Sequence, residues 1–282
     1  MLKIIRLIKW GNVMKNKIIY ITLILIIGIF TFSVISLNKG SNNNTVTTSG
    51  TVLSNKKIGW GIKRNDNHEQ PDLGANNKKL LEEYDGIAMG NSEDKFVYLT
   101  FDEGYEAGYT SMLLDILKEN NVKAAFFITG HYLNTQSDLV KRMIDEGHIV
   151  GNHTVNHKSM PDIDDQKIKD EIMNLHESMY EKFNYEMKYI RPPMGEFSER
   201  TLEIMKNLGY RATMWSLAYD DWDENKQGRE EYGKNKILSN IHNGAIILLH
   251  ANSKDNCNIL DECIKKIKEM GYEFKSLDEF KK

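Results

Sequence analysis

Seven short apolar runs punctuate the chain from residue 96 onward: "FVYLTF" 96–101, "KAAFFI" 123–128, "HIVGN" 148–152, "KYIR" 188–191, "RATMWS" 211–216, "AIILLH" 245–250 and "YEFKS" 272–276. Such runs, rich in β-branched and aromatic residues, read as buried strands, and connections long enough to hold a helix join parallel neighbours. The stretches between them have helical period, as in "SMLLDILKEN" 111–120 and "SDLVKRMIDEG" 137–147, the second stopped by Gly147 in a C-capping position. About seven such units predict an α/β fold, a distorted or incomplete (β/α) barrel with about seven parallel strands, rather than an open doubly wound sheet. No glycine-rich phosphate loop follows any run, which argues against a nucleotide-binding fold.

In a barrel of this kind chemistry gathers where strands hand over to the following loops. Five polar clusters fall at such positions: Asp102-Glu103 after the first run, His153 and His157 in "GNHTVNH" after the third, Arg191 in "RPPMG" at the fourth, Asp221-Trp222 after the fifth, and His250 at the end of the sixth. Two histidines four apart project to one side of a helical turn and can grip one metal ion with a carboxylate as third ligand. Taken alone, the pair reads equally as two exposed loop histidines. The neighbouring carboxylates favour the metal, because adjacent like charges stay ionised more easily beside a cation. His250, a core histidine or a catalyst by its position alone, is expected to donate a hydrogen bond to Asp221, which orients it as a proton donor. Arg191 precedes Pro192-Pro193, which stiffen its backbone and suit it to positioning a carboxylate.

Lys+Arg number 37 against Asp+Glu 40, a net charge of -3. That balance provides no basic stripe for nucleic acid. Cys257 and Cys263 form neither a zinc motif nor a disulfide framework. Residues 18–37, "IIYITLILIIGIFTFSVISL", follow a basic lead (1–17) and are long and apolar enough to span a bilayer as an anchor or to act as a signal peptide. The lysines and arginine before the span keep that end in the cytoplasm and send the rest outside. An Asn/Ser/Thr/Gly-rich stretch, 38–57, reads as a flexible linker, leaving 58–282 as the catalytic domain.

Taken in order, "TFDEG", "HTVNH", "RPPMG", "WSLAYDDW" and "LLH" resemble the five motifs of the polysaccharide deacetylase family, carbohydrate esterase family 4, over about residues 90–280. The surrounding "YLTFDEGYEAGYT" and "FFITGHY" resemble its branch acting on N-acetylmuramic acid on the route to the δ-lactam of spore cortex. The resemblance implies a metal-dependent amidohydrolase acting on peptidoglycan glycan strands, with zinc the favoured ion and no protein partner. It implies Asp102 as general base, Arg191 orienting it, His250 as general acid tuned by Asp221, and His153, His157 and Glu103 as metal ligands. Met194 would supply a backbone oxyanion donor and Leu248 would line the acetyl pocket. Glu103 and Ala218 depart from the family pattern, which usually has aspartates there. Tyr132 and Trp222, with Tyr105, Tyr109 and Trp215, are candidates to stack on sugar rings, although core packing explains Trp215 equally; Lys158 and His131 read first as solvated side chains and second as contacts for a lactyl carboxylate. An N-acetylglucosamine deacetylase and an inactive carbohydrate-binding module are the alternative readings.

Overall fold

The computed structural model describes residues 53–281. The basic lead, the candidate span at 18–37 and most of the linker lie outside the described residues. Among the described residues no helix is long and apolar enough to cross a membrane.

A two-stranded antiparallel pair, β1 (Ile58–Gly59) with β6 (Glu196–Phe197), stands beside a seven-stranded parallel sheet. That sheet contains β2 (Phe96–Glu103), β3 (Ala125–Ile128), β4 (Ile149–Asn152), β5 (Tyr189–Ile190), β7 (Arg211–Ala212), β8 (Ala245–His250) and β9 (Glu273–Phe274). Its order is β7-β5-β4-β3-β2-β8, with β9 paired to the start of β2. An isolated parallel bridge, Leu217 with Ile247, links the segment after β7 to β8. The sheet is thus a curled, incomplete barrel, as its seven apolar runs predict.

Helices α1 (Ala75–Glu83), α2 (Thr110–Glu119), α3 (Gly130–Thr135), α4 (Ser137–Asp145), α5 (Asp165–Phe183), α6 (Glu199–Asn207), α7 (Glu230–Asn240) and α8 (Lys254–Glu269) fill the connections. Their ends follow local chemistry. The Asp164 side chain accepts the Lys167 N–H at the start of α5, and Asn184 closes that helix in the left-handed conformation. Gly147, at φ 77, lets the chain turn out of α4 into β4.

Strand alternation divides the core in two. Val97, Leu99 and Phe101 of β2 and Ile247 and Leu249 of β8 pack with the helices, whereas Tyr98, Ala125, Phe127, Ile149, Tyr189 and Ile246 fill the barrel interior. Each fully buried side chain of this size contributes about 1.5–3 kcal/mol. Cys257 and Cys263 are free and buried on α8. Ser54 and Asn55, expected in the flexible linker, are already bonded to the body: the Ser54 N–H donates to Glu199 Oε2 and Asn55 Nδ2 to the Pro161 carbonyl.

Candidate active site

The interior face of β2 presents Thr100 and then Asp102 at the mouth of the barrel. Arg191, immediately after β5, is fully buried, and each of its three side-chain nitrogens makes a hydrogen bond. Its Nη1 donates to Asp102 Oδ1 at 2.7 Å, Nη2 to Thr100 Oγ1 at 2.8 Å and Nε to the Thr213 carbonyl at 3.1 Å. Its guanidinium also lies 4.2 Å from the Phe127 ring centre. Three bonds in one plane and a ring beneath leave it one orientation. Burial pushes the Asp102 carboxyl up, but the Arg191 charge, helped by His153 and His250, outweighs burial and holds it below its ordinary 3.8. Arg191→Met is expected to strand that buried carboxylate and cost about 3–5 kcal/mol of stability in denaturant unfolding. A loss below about 1 kcal/mol, the range of exposed ion pairs, would show the pair to be dispensable.

Beside it stands His250, the last residue of β8, whose Cα pairs with that of Asp102. Its Nδ1 lies 2.8 Å from Asp221 Oδ1, and its backbone N–H donates to Asp221 Oδ2 at 2.7 Å. A carboxylate only accepts, so Nδ1 carries the proton and Nε2 is the nitrogen left for chemistry. Burial draws the imidazole down, but the charge of Asp221 and its hydrogen bond overcome this and raise the pKa above 6.5.

His153 and His157 meet with ring centres 4.7 Å apart, though not on a helical turn. They sit on a loop in which Thr154 (φ 66) and His157 (φ 54) adopt left-handed backbone. His153 Nδ1 donates to the Arg191 carbonyl at 2.8 Å, which leaves Nε2 unprotonated, 3.5 Å from Asp102 Oδ2. Burial draws the His153 pKa down to about 4 and lowers that of His157, so both are neutral near pH 7.

These groups border a cavity of about 910 Å³, lined also by Leu248, Trp215, His131, Asn156 and Asn252. Tyr105, Met194 and Trp222 lie exposed on its wall. A buried carboxylate and an imidazole of raised pKa thus stand side by side at the wall of a sugar-sized space, beside two neutral imidazoles.

Known proteins share this arrangement of chain. The sequence model of the family described as "Polysaccharide deacetylase" matches residues 89–213. The peptidoglycan-N-acetylmuramic acid deacetylase PdaA of Bacillus subtilis strain 168 is 44% identical over 229 residues, 81% of this chain and 87% of PdaA. The chain belongs to the polysaccharide deacetylase family. The solved structure of Bacillus subtilis PdaA, a family 4 carbohydrate esterase, superposes on this deacetylase with a TM-score of 0.79 at 43% identity, covering 81% of this chain and 98% of the other. A family 4 carbohydrate esterase from Bacillus anthracis does so with a TM-score of 0.70 at 42% identity, over 82% and 98%.

Two expected site residues of this deacetylase, and the weaker candidate Lys158, stand elsewhere. Glu103 follows Asp102 on the same strand, so alternation turns it to the opposite, helix-facing side. There Thr110 Oγ1 donates to Glu103 Oε1 at 3.3 Å, while Oε2 is buried without a partner. Burial, then the nearby Glu106 charge, raises its pKa well above 4.5. It does not border the cavity. Tyr132 is fully buried, its hydroxyl bonded to Glu106 Oε2 at 3.0 Å and Thr110 Oγ1 at 3.1 Å, and stacks on no sugar. Lys158 pairs with Glu171 at 3.3 Å, leaving His131 as the cavity residue of the two. One positioning contact was not anticipated: Asn256 Nδ2 of α8 donates to Asp221 Oδ2 at 2.6 Å and to the His250 carbonyl at 3.0 Å. Its only sequence signal is a polar residue on the buried stripe of an amphipathic helix.

Members of this family depend on a metal ion, and the donor chemistry here fits one. The bare Nε2 of His153 faces an ionised carboxylate with no proton between them, a repulsion that a cation relieves. The carbonyl bond to Nδ1 is the usual way a ligating imidazole is oriented. His153 and His157 are the residues that would hold it, and Asp102 lends the neighbouring negative charge. Among the described residues no group of three His, Cys, Asp or Glu side chains forms a ready-made cage. Glu103→Gln is accordingly expected to leave zinc affinity within about threefold in calorimetry, and a loss in the 10–100-fold range would return Glu103 to the coordination shell.

Proposed function

We propose that the protein hydrolyses the N-acetyl group of peptidoglycan amino sugars, N-acetylmuramic acid foremost, releasing acetate on the route to the δ-lactam of spore cortex. One observation carries the chemistry: the Arg191-held Asp102 and the Asp221-held His250 stand side by side on neighbouring strands at the cavity wall. The likeness to PdaA supports the choice of sugar. The basic lead and apolar stretch at 18–37 support a site of action outside the cytoplasmic membrane, on an anchored or secreted protein.

Asp102, ionised at neutral pH and with Oδ1 tied to Arg191, offers Oδ2 to take a proton from the attacking water. The water oxygen bonds to the acetamide carbon. The Met194 backbone N–H donates to the oxygen that becomes negative, a contribution of about 10²–10³ in rate. His250 Nε2 passes its proton to the departing nitrogen as the C–N bond breaks, leaving acetate and a free amine. Leu248 gives the acetyl methyl an apolar wall, and Trp222 and Tyr105 offer rings for the sugar. A divalent cation, zinc by its fit to imidazole donors, supplies Lewis-acid polarisation of the amide when bound.

The test is acetate release from peptide-free glycan strands against chitin oligomers, before and after chelation and zinc restoration. A preference of about tenfold or more for the glycan strands, abolished by chelator, is expected. Preference for chitin oligomers would shift the reading to N-acetylglucosamine. Binding of both without acetate would leave a carbohydrate-binding module.

A further inference from the structure

Residues 54–64, outside the span matched by the family's sequence model, form a strap under the cavity wall and bond three residues that line it. Trp60 donates its backbone N–H to the Gly195 carbonyl and its indole N–H to the Trp215 carbonyl, each at 2.9 Å. Arg64 Nη2 donates to the Ala218 carbonyl at 2.7 Å. Gly195, Trp215 and Ala218 all border the cavity. Strand β1 continues the grip, with Ile58 opposite Phe197 and Gly59 opposite Glu196. The Trp60 ring packs 6.3 Å from Phe197 and, edge-on, 6.4 Å from Trp215.

The loop held this way is strained. Met194 adopts φ 58 and ψ 9, the left-handed region, without being a glycine. Gly195 follows at φ 66, and a Cβ there would come within 2.8 Å of the Trp215 ring and 3.0 Å of Trp60 Cβ. Such backbone persists only where its surroundings over-determine it. Trp60 touches the loop from below through both a hydrogen bond and a ring.

We infer that Trp60 is a positioning residue, clamping Gly195 and Trp215 so that the Met194 backbone N–H stays aimed at the reacting carbonyl. The inference rests on the proposed function, in which that N–H receives the developing negative charge. A donor displaced by about 1 Å loses much of its effect on rate while substrate binding elsewhere is untouched. The loss therefore belongs in kcat, not KM.

Trp60→Ala and Trp60→Phe, the second keeping the ring and losing the indole donor, test this on the full chain. The control is Leu277→Val, in the core cluster of Tyr98 and Ile149 away from the cavity, compared at matched Tm. Trp60→Ala is expected to lower kcat about 30-fold with KM within about twofold, part of the 10²–10³ due to a whole oxyanion donor. Trp60→Phe should recover most of that, and Leu277→Val should stay near wild type. Hydrogen exchange should quicken at residues 194–197 in Trp60→Ala and stay unchanged in β2 and β8. The clamp is refuted by a kcat loss no larger than the control's, by a loss confined to KM, or by unchanged exchange in the loop. If the wild type releases no acetate from either glycan, the proposed function falls, and the exchange comparison alone decides whether Trp60 holds the loop.

Discussion

Asp102→Asn is expected to lower kcat for acetate release by about 10²–10⁴-fold while leaving a folded protein. Asparagine has nearly the same shape, and its carbonyl can still accept the bond that Arg191 Nη1 makes to Oδ1 at 2.7 Å. It cannot take a proton from water, and it removes the negative charge facing the bare Nε2 of His153. Stability should fall as well, because a buried guanidinium loses its counter-charge. The pH dependence gives a second signature. The folded-state pKa of Asp102 lies below its ordinary 3.8, so its stabilisation is complete above the unfolded value and disappears as pH falls through the folded one. The variant should lose stability near neutral pH but lack that acid-side decline, which pH-dependent denaturant titration would measure. Acetate release within about threefold of wild type would remove Asp102 from the role of base.

The long strands and the order of the polar clusters were legible because their signal is continuous. "FVYLTF" and "AIILLH" are almost wholly buried, and polar residues come at their C-terminal ends, Asp102 just after the first and His250 closing the second. The errors arose where a boundary or a third dimension mattered. Reading the first strand as ending at Phe101 left Asp102 and Glu103 free to turn the same way. The ladder continues to Glu103, opposite Ile128, and the period-2 rule then sends the two carboxylates to opposite faces. Tyr132 resembled a rim aromatic, but the Thr129 side chain caps α3 by accepting the Tyr132 N–H, and that helix is set so that the ring turns inward. The histidine pair was found through helical spacing, yet left-handed backbone at Thr154 and His157 achieves the convergence instead. The pairing of β1 with β6 spans two residues on each side, too short for any alternation to show. Asn256 acts through tertiary contact alone, and its local context is that of an ordinary helix residue.

Asp221→Asn is expected to move the alkaline limb of the activity profile to lower pH and to reduce kcat substantially at neutral pH. His250 must be protonated to serve as acid, so activity is lost as pH rises through its pKa. Burial alone would put that pKa below 6.5; the Asp221 carboxylate, bonded to Nδ1 at 2.8 Å, reverses the sign. An asparagine leaves burial in place and removes the charge, so the imidazole is neutral over more of the working range. It can also turn its amide nitrogen toward Nδ1, favouring the tautomer with the proton on the wrong atom. The same sign governs stability: a group whose folded pKa is raised stabilises below its unfolded pKa, and this benefit fades as pH rises through the folded value. His250→Gln, which has no proton to donate near pH 7, should lose about 10²–10⁴-fold in kcat and show no alkaline limb from this group. If Asp221→Asn kept the wild-type limb, the proton donor would have to be a group other than His250. The bond from Asn256 to Asp221 Oδ2 would then serve only to join α8 to the barrel.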